Sequence, residues 1–184
     1  MTITTEKRKT MTFSIKIMQL KKQMPDLLWV LKARSIDPTR DALNYLNIDG
    51  EGFCATDGHR LHLCRDKSKL PTNVKNGLWD VKVLKDSIVF IPVEDGRFPN
   101  YINLMPNYST ESMREDLDVR PSEMNRRLSG CLIDLVKRFG YGLDIAHLKD
   151  LSGYSWDVTG DANIKDKPFH FKNGVLEAII MPIR

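Results

Sequence analysis

Asp57, His59 and His62 sit in the octet Ala55-Thr56-Asp57-Gly58-His59-Arg60-Leu61-His62, and these residue types are the ones that hold metals or move protons. A carboxylate and two imidazoles this close could serve a small metal-dependent hydrolase. Metal sites normally need three or more ligands, and no other His or Cys cluster lies in register with these. A turn accounts for the same residues without chemistry. Asp-Gly is among the strongest hairpin signals, and polar side chains in turns satisfy backbone groups. No Gly-rich phosphate loop is present: Asp57-Gly58 and Gly140-Tyr141-Gly142 are isolated and match no nucleotide fingerprint. The reading that follows is a binding protein, not an enzyme, with no catalytic residue, metal or cofactor.

A second set of residues is cationic. Arg126, Arg127, Lys137 and Arg138 gather along one helical stretch, and Lys21, Lys22 and Lys32 along another. Such runs are ordinarily solvated helix faces, and the alternative is a surface for a polyanion. Aromatic residues do not interleave with them, so base stacking is not indicated. A nucleic acid on these faces would be held by its phosphates, without regard to sequence.

Periodicity places these residues on elements. Phe53-Cys54-Ala55 leads into the octet and Leu61, Leu63 and Cys64 lead out, which predicts strand, turn, strand. An edge strand is expected over Met11–Ile17. A helix is expected over Met18–Ala33, either kinked by Pro25 or beginning near it. Ala42–Ile48 reads as a strand, Asp66–Asn76 as a polar connection, and Leu78–Val83 and Ser87–Val93 as strands joined at Lys85-Asp86. Pro106–Glu115 has the composition of a linker. Ser122 is the expected N-cap of a helix over Glu123–Arg138, with Gly140 just past its end. Its apolar stripe is Met124, Leu128, Cys131, Leu132, Leu135, Val136 and Phe139. A short helix over Ile145–Leu151 and strands near Tyr154–Val158, Pro168–Lys172 and Val175–Pro182 complete the chain. Asn173-Gly174 is the expected turn of the last hairpin.

The chain has 184 residues, 41% of them hydrophobic, which suits one large or two small globular units and excludes a disordered chain. No apolar run reaches the length of a membrane span, and the polar, basic residues 1–10 read as a flexible tail, not a secretory signal. Three cysteines without metal-type spacing fit reduced thiols in a cytoplasm. A net charge of +4 permits a polyanionic partner without demanding one.

The octet resembles a signature of the bacterial sliding clamps, the β subunits of DNA polymerase III. Asp95-Gly96-Arg97-Phe98-Pro99-Asn100-Tyr101 and the terminal Ile180-Met181-Pro182-Ile183-Arg184 resemble further segments of that family, in the family's order. The resemblance implies an α+β, DNA-clamp-like fold with antiparallel sheets and helices packed on one face. Residues 11–106 look like a shortened middle clamp domain, and residues 107–184, from Asp118 onward, like a shortened last one. The family's first domain has no counterpart, nor does a helix between Arg65 and Asp95. The resemblance further implies a groove for partner peptides. Its residues would be Thr56, Gly58, His59, Arg60, Leu61, Pro99, Tyr101, Leu104, Ile179, Met181, Pro182, Ile183 and Arg184. His59, Arg60 and the Gly58 backbone would orient the peptide over an apolar floor. Asn103 stands where the family often has Arg, Leu104 replaces a smaller aliphatic, and Ile183 replaces a Met. The basic helix faces of Lys21, Lys22, Lys32, Arg126, Arg127, Lys137 and Arg138 would face duplex DNA. The implied role is a processivity factor in replication or repair, working in the cytoplasm and away from membranes. Its partners would be the clamp-binding-motif peptides of polymerase or repair proteins. Family rings hold six domains, so a ring of two-domain chains would be a trimer; the alternative is a monomeric adaptor or decoy that kept only the groove.

Overall fold

Phe53–Thr56 and Arg60–Cys64 are buried along nearly their whole length, which a hairpin achieves only when both of its faces are covered. They are the centre of the structure, a computed structural model that describes residues 13–16, 24–85, 87–105, 112–161 and 167–183. Residues 13–105 supply strands β1 (Phe13–Lys16), β2 (Leu46–Ile48), β3 (Phe53–Thr56), β4 (Arg60–Cys64), β5 (Gly77–Val83) and β6 (Ser87–Val93). Residues 112–180 supply β7 (Ser112–Asp116), β8 (Ser155–Thr159), β9 (Phe169–Asn173) and β10 (Leu176–Ile180). Among the described residues the helices are α1 (Pro25–Leu31), α2 (Met124–Phe139) and α3 (Ile145–Lys149).

The ten strands form one antiparallel sheet in the order β1-β6-β5-β2-β3-β4-β10-β9-β8-β7. Pairing of β4 with β10 joins the two halves, with Leu61 opposite Ile179 and Leu63 opposite Glu177. Strand alternation then sorts the side chains. Phe53, Ala55, Cys64, Leu176, Ala178 and Ile180 point into one core beneath the helices. Cys54, Leu61, Leu63 and Ile179 point the other way, into a smaller cluster covered by Phe98, Tyr101 and Met105.

The larger core does not stop at the boundary between halves. Trp29 of α1 stacks on His62 with ring centroids 4.1 Å apart, lies 5.5 Å from Trp156, and donates its indole N–H to the Asp150 carbonyl at 3.0 Å. On the opposite face a polar seam crosses the same boundary. Arg65 Nε donates to Glu177 Oε1 at 2.7 Å, and His170 Nε2 lies 3.1 Å from Glu177 Oε2. Burial pushes the Glu177 carboxyl up, but the bonds from His170 and Arg65 outweigh it and hold the group down at about 2.

α1 begins at Pro25, one of the two alternatives expected, where the ring's missing N–H costs nothing; residues 18–23 of the expected run lie outside the described residues. Other elements differ from expectation. Ala42–Ile48 is not one strand: Asp41–Asn44 form a 3-10 turn, and only Leu46–Ile48 pair. Ser112–Asp116, read as linker, pair with β8 and form an edge of the sheet. Ser122 does not cap α2. Residues 120–124 form a backbone turn, with Glu123 N donating to Arg120 O at 2.9 Å, and the helix starts two residues after Ser122. In the stripe of α2, Leu128, Cys131, Leu135 and Phe139 are buried, Leu132 is half-buried and Val136 is exposed. The last hairpin turns one residue later than expected, on Gly174-Val175, with Asn173 ending β9 and donating its amide to Ser155 O at 2.7 Å. Gly140 closes α2 at φ +80°, the left-handed conformation expected there. Gly52 was not singled out, yet a Cβ there would stand 2.1 Å from the Cys64 carbonyl oxygen, so only glycine allows β3 to lie this close to the end of β4.

Two predictions follow from this packing. Leu135→Ala should cost about 2–5 kcal/mol in urea unfolding, and Leu132→Ala, half-exposed at the stripe's edge, about 1 kcal/mol. Glu177 is ionised more easily folded than unfolded. Its contribution, on the order of 2–3 kcal/mol, is therefore fully present above its ordinary value of 4.5 and lost as pH falls from there towards about 2. Unfolding measured across pH 2–7 should show a shallower slope in Arg65→Met, where His170 still bonds the carboxylate.

Candidate functional site

The turn between β3 and β4 is built by its own side chains. Asp57 Oδ1 accepts from the His59 and Arg60 amides at 2.9 and 3.0 Å, and Thr56 Oγ1 accepts from Gly58 N at 3.1 Å while donating to Arg60 O at 2.6 Å. Gly58 takes φ +92° so that the chain can double back. This geometry uses Asp57 up in the turn. The chain's C-terminal segment is then hung on the same turn: Met181 N donates to His59 O at 2.8 Å, and Ile183 N to Gly142 O at 3.1 Å.

Between this turn, the end of β10 and residues 99–104 lies a cavity of about 310 Å³. Thr56, Gly58, His59, Arg60, Leu61, Pro99, Tyr101, Leu104, Ile179 and Met181 line it, together with Leu43. All ten of the first-named residues were singled out in the sequence, from three segments far apart in the chain. Pro182 and Ile183 were grouped with them but line an adjoining compartment, of about 250 Å³, with Asp144 and His147; His59 and Met181 border both. Arg184 lies outside the described residues. Leu43 was missed because its stretch reads as strand, whereas the 3-10 turn rotates it towards Gly58.

The walls are apolar and their polar groups are mostly engaged. Tyr101 is buried, and its hydroxyl donates to the Asp49 carboxylate at 2.9 Å. Burial and the neighbouring Cys54 and Asp49 push its phenol up, so it stays an O–H. Leu104 is 47% exposed at the rim, an apolar side chain with no cover. Arg60 does not present its charge to the cavity as expected. Its Nε donates to Asp57 Oδ2 at 3.0 Å, Nη1 to the Asp150 carboxylate, and Nη2 to the Lys32 carbonyl at 2.9 Å. The guanidinium ties the turn to the ends of α1 and α3, and that leaves His59 and the turn's backbone as the polar groups nearest a ligand.

His62 cannot join Asp57 and His59 at a metal. It is fully buried on the helix side, stacked on Trp29, with Nδ1–H donating to the Trp29 carbonyl at 2.9 Å. Burial holds its imidazole down at about 3, in the neutral form. The three histidine and aspartate positions that suggested a hydrolase are thus divided between a turn and the core. Burial also pushes the thiols of Cys54 and Cys64 up, to about 12 and about 11, which leaves them unreactive.

The helix faces are partly as expected. Arg126 and Lys137 are exposed on the side of α2 opposite its buried stripe, and Arg138 and Lys32 are also exposed. Arg127 is different: it donates to Glu115 Oε2 at 2.9 Å and to Asp116 O at 2.6 Å, pinning α2 to the edge strand β7. Lys21 and Lys22 lie outside the described residues. Among the described residues, no helix is long and apolar enough to cross a membrane.

The fold is that of the bacterial DNA polymerase sliding clamps, the β subunits of DNA polymerase III. The Pseudomonas aeruginosa sliding clamp, crystallised with a ligand, aligns with a TM-score of 0.63 at 15% identity, over 100% of this chain and 69% of that one. The clamp of Bacillus subtilis aligns with a TM-score of 0.54 at 17% identity, over 96% and 65%. The β subunit of Thermotoga maritima aligns with a TM-score of 0.55 at 15% identity, over 100% and 68%. No family model matches the chain, and no curated protein matches it.

Arg60→Ala should destabilise the protein by about 2–3 kcal/mol, because two carboxylates and a carbonyl lose their shared partner in a site only 15% exposed. Arg60→Lys should recover little of this, since an ammonium cannot span three acceptors in a plane. Thermal or urea unfolding of the pair checks it.

Proposed function

We propose that this chain is a clamp-like replication or repair protein, not an enzyme, that binds partner peptides in the cavity beside Leu61 and Met181. The observation that supports this is the convergence of ten residues from three separated segments on one apolar cavity with an uncovered Leu104 at its rim. Cavities of this size with few convergent polar groups are common ligand sites, and a thioether floor accommodates varied side chains. The peptides in question are short, extended and carry a Gln with paired Leu or Phe residues, as the partners of clamps do. The two halves are compressed clamp units, residues 11–106 and 107–184, fused through the β4–β10 pairing. The exposed Lys32, Arg126, Lys137 and Arg138 face duplex DNA and contact its phosphates. A ring would be a trimer, and the chain works in the cytoplasm. An adaptor that uses the groove without a ring is the second reading, favoured by the engagement of Arg127 within the fold.

Such a peptide should bind with micromolar affinity, roughly −8 kcal/mol, in calorimetry or fluorescence anisotropy. Leu104→Asp should abolish that binding and leave thermal stability nearly unchanged. A folded protein that ignores the peptide at millimolar concentration would overturn the groove. Light scattering gives the mass. If DNA binds, Arg126→Ala and Lys137→Ala should each weaken it equally on unrelated sequences and lower its salt slope by about one. A monomer with no salt-dependent affinity for duplex DNA leaves the adaptor.

A further inference from the structure

A second cavity, of about 430 Å³, lies behind the groove, and Pro99 and Tyr101 border both. Leu61, Leu104 and Met181 border the groove alone, whereas Asp49 and Asn47 border the larger cavity alone. The Tyr101 ring thus stands between a ligand in the groove and further space behind it. We propose that Asp49, outside the groove, is a positioning residue that sets the groove's depth. By holding Tyr101 as the wall between the two cavities, it makes the groove select a Leu-sized anchor side chain over a Trp-sized one. The inference rests on the groove reading and names which partner the groove rejects.

Tyr101 is 3% exposed, and its ring packs in the small cluster with Leu61, Leu63 and Ile179, edge-on to Phe98 at 6.2 Å between centroids. Its hydroxyl is the one polar end, and it meets the two oxygens of the Asp49 carboxylate at 3.0 and 2.9 Å, on the side of the larger cavity. That carboxylate is itself held. Oδ1 accepts from Glu51 N at 2.9 Å and Oδ2 from Asn47 Nδ2 at 2.8 Å. The Asp49 backbone N–H donates to Gly52 O at 3.0 Å, closing the turn between β2 and β3. A carboxylate fixed at both oxygens fixes the phenol that donates to it. Without it the hydroxyl is left beside Cys54, whose sulfur is a weak acceptor and already takes the Asn47 amide at 3.7 Å. A buried hydroxyl without a good partner is costly, so the ring moves to where water can reach it. The larger cavity offers that, with Glu94, Arg97 and Asn100 exposed along it. Such a move takes the back wall off the groove. The rim is divided in the same way, since Leu104 borders the groove and the 55% exposed Ile102, in the same 3-10 turn, borders the larger cavity.

The test titrates two synthetic peptides into the full chain, alike in their Gln and first Leu and ending in a Leu or a Trp anchor. The Leu peptide should bind the wild-type protein more tightly. In Asp49→Ala the ratio of the two affinities should move towards Trp by about three- to tenfold, the range that one hydrogen bond is worth. A merely structural loss would weaken both peptides alike and leave the ratio where it was. Asp49→Asn, whose amide oxygen still accepts from the phenol, should keep the wild-type ratio. Tyr101→Phe, which removes the same bond from its other end, should move the ratio as Asp49→Ala does, and it serves also if Asp49→Ala fails to fold. Equal binding of the two peptides by the wild-type protein, or a ratio unmoved in Asp49→Ala or Tyr101→Phe, overturns the role of Asp49 while leaving the groove standing. A shift in Asp49→Asn as large as in Asp49→Ala overturns the assignment to this hydrogen bond. Failure of the wild-type protein to bind either peptide overturns the groove and this inference with it.

Discussion

The pairing of β4 with β10 is the constraint on which the rest depends. Strands from two halves of the chain meet there in register, and a slip of one residue would exchange the two faces of the sheet. With Leu61 opposite Ile179, both side chains enter the apolar cavity, while their neighbours His62, Ala178 and Ile180 enter the core beneath Trp29. One register thus fills the core and builds the cavity. Gly52 serves the same end, because without its close approach to Cys64 the β3 strand could not flank β4 at this distance.

Polar groups at the join are divided by face. On the helix side His62 is neutral and bonded to a backbone carbonyl. On the other face Arg65, Glu51, His170 and Glu177 form a polar seam, and the one buried member, the Glu177 carboxylate, is tolerable there because Arg65 and His170 both bond to it. Arg60 follows the same rule beside the cavity. Its three acceptors come from the turn, from α1 and from α3, so it holds the cavity's shape and is not a free cation within it. An apolar cavity with its charges neutralised at the edges suits a ligand that brings mostly carbon.

Much of this was legible in the sequence where a residue's type is dictated locally. The Asp57-Gly58 turn, the closure of α2 at Gly140, the burial of Leu128 and Leu135, and the strands over Leu78–Val83 and Ser87–Val93 all follow from period and turn chemistry. The ten residues of the cavity were grouped only through the resemblance of three separated segments to a known family, since each alone reads as turn or core. What could not be read depends on distant neighbours. Arg60 looked like a ligand group because Asp150, ninety residues away, gives no signal at position 60. His62 was grouped with Asp57 although strand alternation and Trp29 place it in the core. Ser112–Asp116 had linker composition, and only pairing with β8 makes them a strand. Ser122 lost its cap to the turn that Pro121 favours, a contest between two local rules that spacing could not decide.

The two candidate surfaces place unequal demands on assembly. The cavity is complete within one chain: the turn, residues 99–104 and the end of β10 all come from the same molecule, so nothing about it needs a second copy. The basic helix face is different. Loose contacts to phosphate are weak singly and screened by salt, and on α2 Arg127 is already held by Glu115. Such a face would retain duplex DNA only if copies surrounded it. Enclosure would require the outermost strands of the sheet among the described residues, β1 and β7, to meet between chains. β7 carries Arg114, Glu115 and Asp116 in sequence, and Arg114 reaches Asp157 on β8 at 3.1 Å. Charged residues on an edge discourage indiscriminate pairing while leaving room for a complementary partner. Groove and ring are therefore physically separable, and loss of the second would leave the first intact.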